Sequence, residues 1–95
     1  MQTQFVLKGP VKKFENIEEA WHYVLVPPQL LYKLAKVHKT RTGTIGASIK
    51  VGHSTWNGVL APMGRGNYFI AFPHAVIEQE EIEEGESVRV MVLIH

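Results

Sequence analysis

An arrangement of apolar residues, proline and glycine occurs twice along this chain and restricts it to a small, mainly β fold. In the clearer occurrence, apolar residues 68–72 end at Pro73, a short polar stretch follows, and Gly85 leads into alternating valines over 88–92. Proline cannot donate to a strand ladder and therefore ends a strand, whereas glycine accepts the turn conformations that precede the next strand. This pattern predicts a strand, a helical turn and a second strand.

The first occurrence has the same order but is longer. Residues 21–26 are rich in aromatic and β-branched residues, with apolar residues at both parities, and end at Pro27. Gly43 precedes the alternating residues 45–51. The first of these strands is expected to be covered on both faces and the second to have one wet face. Between them, four apolar residues recur at helical spacing and predict a helix: Leu30, Leu31, Leu34 and Val37.

The two occurrences align when Pro27 is placed on Pro73. We therefore predict one pseudo-duplicated domain over residues 1–95, with repeats of about 1–51 and 52–95. Chance recurrence of strand, proline and helix is the alternative. The fold class we predict is mostly β, a small double-split β-barrel with one or two short helices.

Other segments give weaker signals. Residues 5–7 predict a strand that a Gly9-Pro10 break ends, and residues 11–19 predict a connector. Gly52-His53 predicts a hairpin turn into a strand over 55–60. Residues 62–67 are dense in turn formers and predict a turn into the strand that begins at residue 68.

Length and composition are those of a single globular domain. The chain has 95 residues, of which 45% are hydrophobic and 20% charged, and it contains no cysteine. No apolar run approaches the ~20 residues that cross a membrane, and the first ten residues do not read as a signal peptide. We expect a cytoplasmic protein without disulfides and without a membrane association.

Charge is distributed unevenly although the net charge is +1. Between Glu19 and Glu78 there is no acidic residue, whereas six glutamates fall within residues 78–86. This predicts a basic and an acidic side, or two solvated helix faces. The basic residues of the acid-free stretch form a candidate nucleic-acid set: Lys33, Lys36, Lys39, Arg41, Lys50 and Arg65.

The sequence contains no catalytic or metal signature. Its five histidines show no ligand spacing along one element, so we expect no metal and no cofactor. His53-Ser54 would need an orienting acid for nucleophilic catalysis, and none occurs in the central region. The pattern favours a non-catalytic protein over an enzyme, and the question stays open.

A binding module is the function that the remaining residues favour. Arg65 lies at a predicted loop tip with Met63 and Tyr68 beside it, and Trp56 is a candidate aromatic wall. These four residues predict a site for a small ligand or a protein partner at the barrel mouth or the 62–67 loop. The alternative is a nucleic-acid-associated regulator that uses the basic set.

Two resemblances add to this interpretation. Residues 66–92 resemble the half-barrel of AbrB and MazE transcription factors through Pro73, Gly85, Val88 and Val90. Glu80 and Glu81 replace the leucine-glycine pair usual there, so the end of the helix is expected to differ.

Nearly the whole chain is also similar to a small bacterial family known only as a domain of unknown function. The block Trp56-Asn57-Gly58-Val59-Leu60-Ala61-Pro62-Met63-Gly64-Arg65-Gly66-Asn67-Tyr68 carries this resemblance. It implies a double-split barrel and no established activity. AbrB-like half-barrels pair to close, whereas a chain with both halves joined is expected to be a monomer.

Overall fold

The structure, a computed structural model, describes residues 3–14, 21–27, 30, 44–64 and 67–94. The strands and the helix that lie wholly within these residues are, in chain order, β1 (Thr3–Pro10), β2 (Lys12–Phe14), β3 (Trp21–Val26), β4 (Ile45–Val51), β5 (Ser54–Gly64), β6 (Asn67–Phe72), α1 (His74–Gln79) and β7 (Ser87–Ile94). The predicted mostly β class is confirmed. The described residues contain no helix long and apolar enough to cross a membrane.

All seven strands belong to one antiparallel sheet in the order β1-β7-β4-β5-β6-β3-β2. The long strand β5 joins its two halves, because residues 54–60 pair with β4 and residues 61–64 pair with β6. We call β1-β7-β4-β5 the β7 half-sheet and β5-β6-β3-β2 the β6 half-sheet. The sheet curls into a half-barrel, so that β1 approaches β3 of the other half.

The inner face of the curled sheet forms the core. Alternate residues of β4, β6 and β7 are buried, as expected for strands with one covered face. In the β6 half-sheet Val24 lies opposite Ile70, and in the β7 half-sheet Ile49 lies opposite Val92. All four side chains are 0% exposed. Each half-sheet therefore contributes at least one directly paired, fully buried pair of side chains to the core.

The predicted turn at Gly52-His53 connects β4 to β5, with Val51 opposite Ser54. Gly52 has a φ of 59°, a left-handed conformation that glycine adopts without strain. Glu80, directly after α1, accepts hydrogen bonds from the Ser54 hydroxyl (2.7 Å) and the His53 backbone N–H (3.4 Å). A Cβ on Gly52 would collide with the Glu80 carboxylate. The turn and the end of the helix therefore fix each other's position.

Helix α1 ends in a Schellman motif. The backbone N–H of Ile82 donates to the Ile77 carbonyl (3.0 Å) and that of Glu81 to the Glu78 carbonyl (3.3 Å). Glu81 has a φ of 52° at the position that usually holds glycine. The helix end thus keeps the glycine-type geometry with a glutamate in place. The glycine predicted to precede β7, Gly85, has a φ of 89°, a left-handed conformation that favours glycine.

The predicted break at Gly9-Pro10 is wrong. Strand β1 continues through Pro10, which lies opposite Ser87 of β7. Because β1 is an edge strand, the missing N–H of proline removes no hydrogen bond to a second neighbour. The chain then turns at the buried Val11, whose N–H donates to the Glu86 carbonyl (2.9 Å).

The predicted turn at 62–67 is shorter than expected. Strand β5 continues to Gly64, and Pro62 lies opposite Tyr68. Proline is tolerated here because the described pairing of β5 with β4 ends at Leu60, and beyond it the described partner of β5 is β6. A register irregularity between Pro62 and Gly64 accompanies this change of partner. The hairpin itself is confirmed.

Three further predictions concern neighbouring segments. The predicted connector 11–19 contains the short strand β2. The strand over residues 21–26 is confirmed, but its outer face is not fully covered, since Leu25 is 38% exposed. The predicted helix from Leu30 to Val37 lies outside the described residues apart from Leu30, which is helical and packs against the core.

Candidate functional site

The outer face of the β7 half-sheet carries three cations from three neighbouring strands. Lys8 of β1 lies directly opposite Arg89 of β7. Two residues further along β7, Met91 lies opposite Lys50 of β4. Lys8, Lys50 and Arg89 are all exposed. We call the surface that these three side chains share the cationic face.

A shallow depression of about 170 Å³ lies on the cationic face. Its lining combines apolar and polar side chains, among them Met91, Leu93, Gln4, Ser48, Lys50 and Thr55. Met91 is 37% exposed, so apolar surface is accessible beside the Lys50 ammonium group. The Ser48 hydroxyl donates to the Asn57 side-chain oxygen (3.3 Å) at one side of the depression. The site therefore offers hydrogen-bonding groups, apolar surface and positive charge together.

No described carboxylate compensates the charge of this face. The other outward residues of its strands are uncharged: Gln4, Val6, Pro10, Gly46, Ser48, Thr55, Asn57, Val59, Ser87, Met91 and Leu93. Among the described residues, none of the three cations has an ion-pair partner. Lys8 and Arg89 are like charges in directly opposite positions, which lowers stability. A positive potential over the face follows from this arrangement.

The outer face of the β6 half-sheet is aromatic instead. The rings of Phe14 and Tyr23 stack with centroids 4.2 Å apart, and Phe69 meets both edge-on at 5.6 and 5.8 Å. All three rings are half-buried. Lys12 lies opposite Tyr23 and the exposed Leu25 lies opposite Phe69, both on this same face. We call Phe14, Tyr23 and Phe69 the aromatic cluster.

Two of the residues predicted to line a mouth site, Trp56 and Tyr68, lie on the inner face. Trp56 is opposite the buried Ile49, and its ring meets Phe72 edge-on at 5.8 Å. Both Trp56 and Tyr68 are half-buried and pack against the core. A Cβ on Gly58 would lie 2.9 Å from the indole nitrogen, so glycine makes room for the ring. These aromatic side chains therefore contribute to the core packing of the half-barrel.

The other predicted site residues are divided between described and undescribed segments. Met63 is half-buried near the end of β5, and Arg65 lies outside the described residues. Of the candidate nucleic-acid set, Lys50 lies on the cationic face. The rest, Lys33, Lys36, Lys39, Arg41 and Arg65, lie outside the described residues.

A carboxylate does reach the His53-Ser54 pair, from a distant segment. The Ser54 hydroxyl is 2.7 Å from Glu80 and donates to it directly. Ser54 is 7% exposed, and His53 contributes its backbone N–H to the same carboxylate. The Ser54 hydroxyl proton is therefore hydrogen-bonded to the Glu80 carboxylate. Activation of the serine as a nucleophile would instead require a hydrogen bond to an imidazole base. This arrangement stabilises the turn.

Potential metal ligands are not grouped in the described part of the chain, where no three such side chains come together. The buried Nδ1 atom of His22 has no hydrogen-bond partner there. A single imidazole nitrogen is not enough to hold a structural metal ion, which usually needs four ligands.

Sequence reasoning missed Lys8, Arg89 and the aromatic cluster as surface features. Lys8 and Arg89 lie near opposite ends of the chain, and the three rings come from β2, β3 and β6. Alternation predicts that Arg89 points outward, but only strand pairing brings it beside Lys8. The signal that was available is the absence of acidic residues among the outward positions of β1, β4 and β7.

The fold and this surface define a small, mostly β domain whose curled antiparallel sheet displays a cationic and an aromatic outer face. Residues 8–92 match the model of the family described as Domain of unknown function (DUF1905), and the chain belongs to that family. No curated protein matches the chain.

Proposed function

We propose that this protein is a non-catalytic binding module that holds an anionic ligand on the cationic face. The observation that carries the proposal is that Lys8, Lys50 and Arg89 share one outer face, on which the described residues of its strands include no acid. Three strands hold these residues in register, so the charges are part of a paired sheet rather than of a loop.

The electrostatic arrangement supports binding over a purely structural role. A Lys8–Arg89 pair across two strands opposes folding slightly, and neither residue has a described partner that offsets it. Features that lower stability without a local gain are typical of functional surfaces. An anion placed between these cations would remove the repulsion, and binding would therefore also stabilise the fold.

The size of the depression indicates the kind of anion. Its volume of about 170 Å³ is below the ~300 Å³ at which pockets usually begin to enclose small molecules. The cations extend beyond it, because strands about 4.8 Å apart and a two-residue step place the Cα atoms of Arg89 and Lys50 about 8 Å apart. An open surface with separated charges suits one stretch of an extended polyanion better than an enclosed metabolite.

Titration of a labelled polyanion without bases, an abasic deoxyribose-phosphate decamer, tests the proposal. We expect binding at low ionic strength that weakens with salt, with a slope of log K against log[salt] near −2 if about three phosphates are neutralised. A triple variant, Lys8→Gln, Lys50→Gln and Arg89→Gln, should lose this binding. No binding at tens of micromolar protein would refute the proposal.

Lys13→Gln is the matched control for charge. Lys13 is exposed on edge strand β2, opposite His22 and away from the cationic face. Its loss should leave decamer binding within about twofold of the wild type. Equal losses in Lys13→Gln and in the single variant Lys50→Gln would indicate a non-specific charge effect and would contradict the proposed site.

A second candidate is the mouth site, favoured by the common inner-face position of Trp56 and Tyr68. With Met63 and Arg65, these residues would contact a small ligand or a protein partner at one end of the half-barrel. A thermal-shift screen with metabolites separates the two sites. A ligand at 100 times its dissociation constant stabilises by about 2.7 kcal/mol, and Trp56→Phe should reduce that shift only for a mouth ligand.

The finer fold type is also a proposal. We propose a double-split, pseudo-duplicated barrel of AbrB-like type, with repeats of about 1–51 and 52–95, which acts as a monomer in a bacterial cytoplasm. The pairing of β3 with β6 and of β4 with β7 supports it, since each pair joins equivalent strands of the two repeats. Sedimentation that gives an obligate dimer at micromolar concentration would contradict the monomer.

A further inference from the structure

We infer that the aromatic cluster is a stacking platform for bases, and that the polyanion bound by this protein is a single-stranded nucleic acid. The inference deepens the proposed function and rests on it for the negative charge of the ligand. The recognition of bases is argued from a separate surface, the outer face of the β6 half-sheet.

The geometry of the three rings is the first argument. Phe14 and Tyr23 form a stack with centroids 4.2 Å apart and an interplanar angle of 21°. Phe69 meets the two rings at 79° and 76° and supports the stack from its side. A planar group can extend an existing stack without rearranging it. Base–aromatic stacking contributes about 1–3 kcal/mol per base in proteins that bind single strands.

The position of the rings is the second argument. They lie outside the core, on the face opposite to Val24 and Ile70, and remain partly exposed. Leu25, beside Phe69, is 38% exposed. Clustered aromatic groups that stay partly exposed and do not contribute to a core are typical of binding surfaces.

Charge is the third argument, because it selects the ligand class. Lys12 is exposed and lies directly opposite Tyr23 on the aromatic face. A phosphate next to a stacked base would therefore meet a cation. Neutral sugars also stack on aromatic rings, but neither Lys12 nor the cationic face would strengthen their binding.

Continuity between the two outer faces is the fourth argument. Strand β5 belongs to both half-sheets, and its outward residues lead from the exposed Val59 to Ala61. Ala61 lies opposite Phe69 of the aromatic cluster. A single-stranded nucleic acid can therefore follow β5 across the outside of the half-barrel, with its phosphates on the cationic face and its bases on the aromatic cluster. Duplex DNA keeps its bases stacked inside and cannot use the rings in this way.

The test compares a labelled dT decamer with the abasic deoxyribose-phosphate decamer at the same low salt concentration. We expect dT to bind about 5- to 150-fold more tightly, which is the ratio that one stacked base of about 1–3 kcal/mol gives. Tyr23→Leu should bring dT binding down to the abasic level without changing abasic binding. Phe5→Leu is the matched control, since it removes a half-buried ring that packs against the core from the inner face.

The outcomes separate this inference from the proposed function. Equal binding of dT and abasic decamers overturns the stacking platform and leaves the cationic face in place. Binding of dT without any abasic binding supports the platform and overturns the cationic face. A dT preference that survives in Tyr23→Leu also overturns the platform.

A measurement on the wild-type protein covers the case in which Tyr23→Leu fails to fold. Stacking on a ring moves the base-proton resonances of dT upfield in the NMR spectrum, and ring protons of Phe14 and Tyr23 should shift in the same titration. Resonance shifts confined to lysine side chains and backbone amides would overturn the inference.

Discussion

The β7 half-sheet and the β6 half-sheet bury equivalent side chains on their inner faces but carry different chemistry on their outer faces. Inside, Ile49 opposite Val92 corresponds to Val24 opposite Ile70, and all four are fully buried. Outside, the described part of the β7 half-sheet presents cations and aliphatic groups without an aromatic ring. The β6 half-sheet presents three rings and the exposed Leu25.

Inner and outer positions of a small curled sheet differ in how freely their residues can serve binding. Inner positions must be apolar and must fill space, because protein cores are close-packed and polar groups without partners are costly there. Outer positions are free of that demand. Charges and rings gathered at outer positions are therefore more informative about binding than the apolar positions inside.

The contrast between inner and outer faces predicts the largest difference in stability. Ile70→Ala removes a fully buried side chain and should lower the free energy of unfolding by about 3 kcal/mol. Leu25→Ala, on the neighbouring strand but 38% exposed, should lower it by less than about 1 kcal/mol. Urea unfolding measures both free energies. Similar losses in the two variants would contradict the distinction between inner and outer positions.

The turn at Gly52 sets which residues of β4 and β5 face outward, and its loss should have the second largest effect. Gly52→Ala places a side chain in a left-handed conformation and against the Glu80 carboxylate, which should lower stability by about 2 kcal/mol. Gly9→Ala is the control, because its Cβ would meet no atom within 4 Å.

Denaturant unfolding of both glycine variants measures this difference. Adding Glu80→Ala to Gly52→Ala should give a combined loss smaller than the sum of the two single losses, since the collision is then absent. Strict additivity would contradict the clash between this turn and the end of α1.

Glu81→Gly changes the end of α1, in the segment that connects β6 of one half-sheet to β7 of the other. Glycine adopts the φ of 52° without strain, so the variant should gain about 1 kcal/mol, or about 4–8 °C in Tm. Glu84→Gly removes the same charge where the described backbone has no positive φ and should not gain stability. Thermal unfolding of both variants measures the difference in Tm. Equal shifts in Tm would show that the loss of charge, and not the backbone conformation, causes the effect.

Lys8→Glu gives the smallest change in stability and tests the cationic face directly. It replaces a like-charge pair with an opposite-charge pair across from Arg89, which should gain about 0.5 kcal/mol at low salt. The gain should shrink as salt is added, since exposed charges are screened. The same variant should weaken binding of the abasic decamer at least tenfold.

Lys13→Glu is its control, with the same charge change on strand β2 and no expected gain. Chemical unfolding and decamer titration on the same samples compare stability with binding. A Lys8→Glu variant that is both less stable and equally tight in binding would remove the basis for the cationic face.

Much of the candidate surface could not be predicted from the sequence, for a physical reason. The prediction of a mouth site relied on residues that are neighbours in the chain, Trp56, Met63, Arg65 and Tyr68. The cationic face and the aromatic cluster join residues that are distant in the chain and adjacent only through strand pairing. Register between distant strands depends on the whole packed sheet, and local patterns do not encode it.

Local patterns in the sequence were enough to place the interiors of most strands, the ends at Pro27 and Pro73, the Gly52 turn and the alternation that separates core from surface. Strand β2 is the exception. These features are local, because side-chain period, proline and glycine act within a few residues. Pairing between distant segments places Lys8 opposite Arg89, brings Glu80 to the Gly52 turn and sets which outer residues share a face. The reason is that such contacts depend on long-range pairing, whose free energy is shared by the entire core.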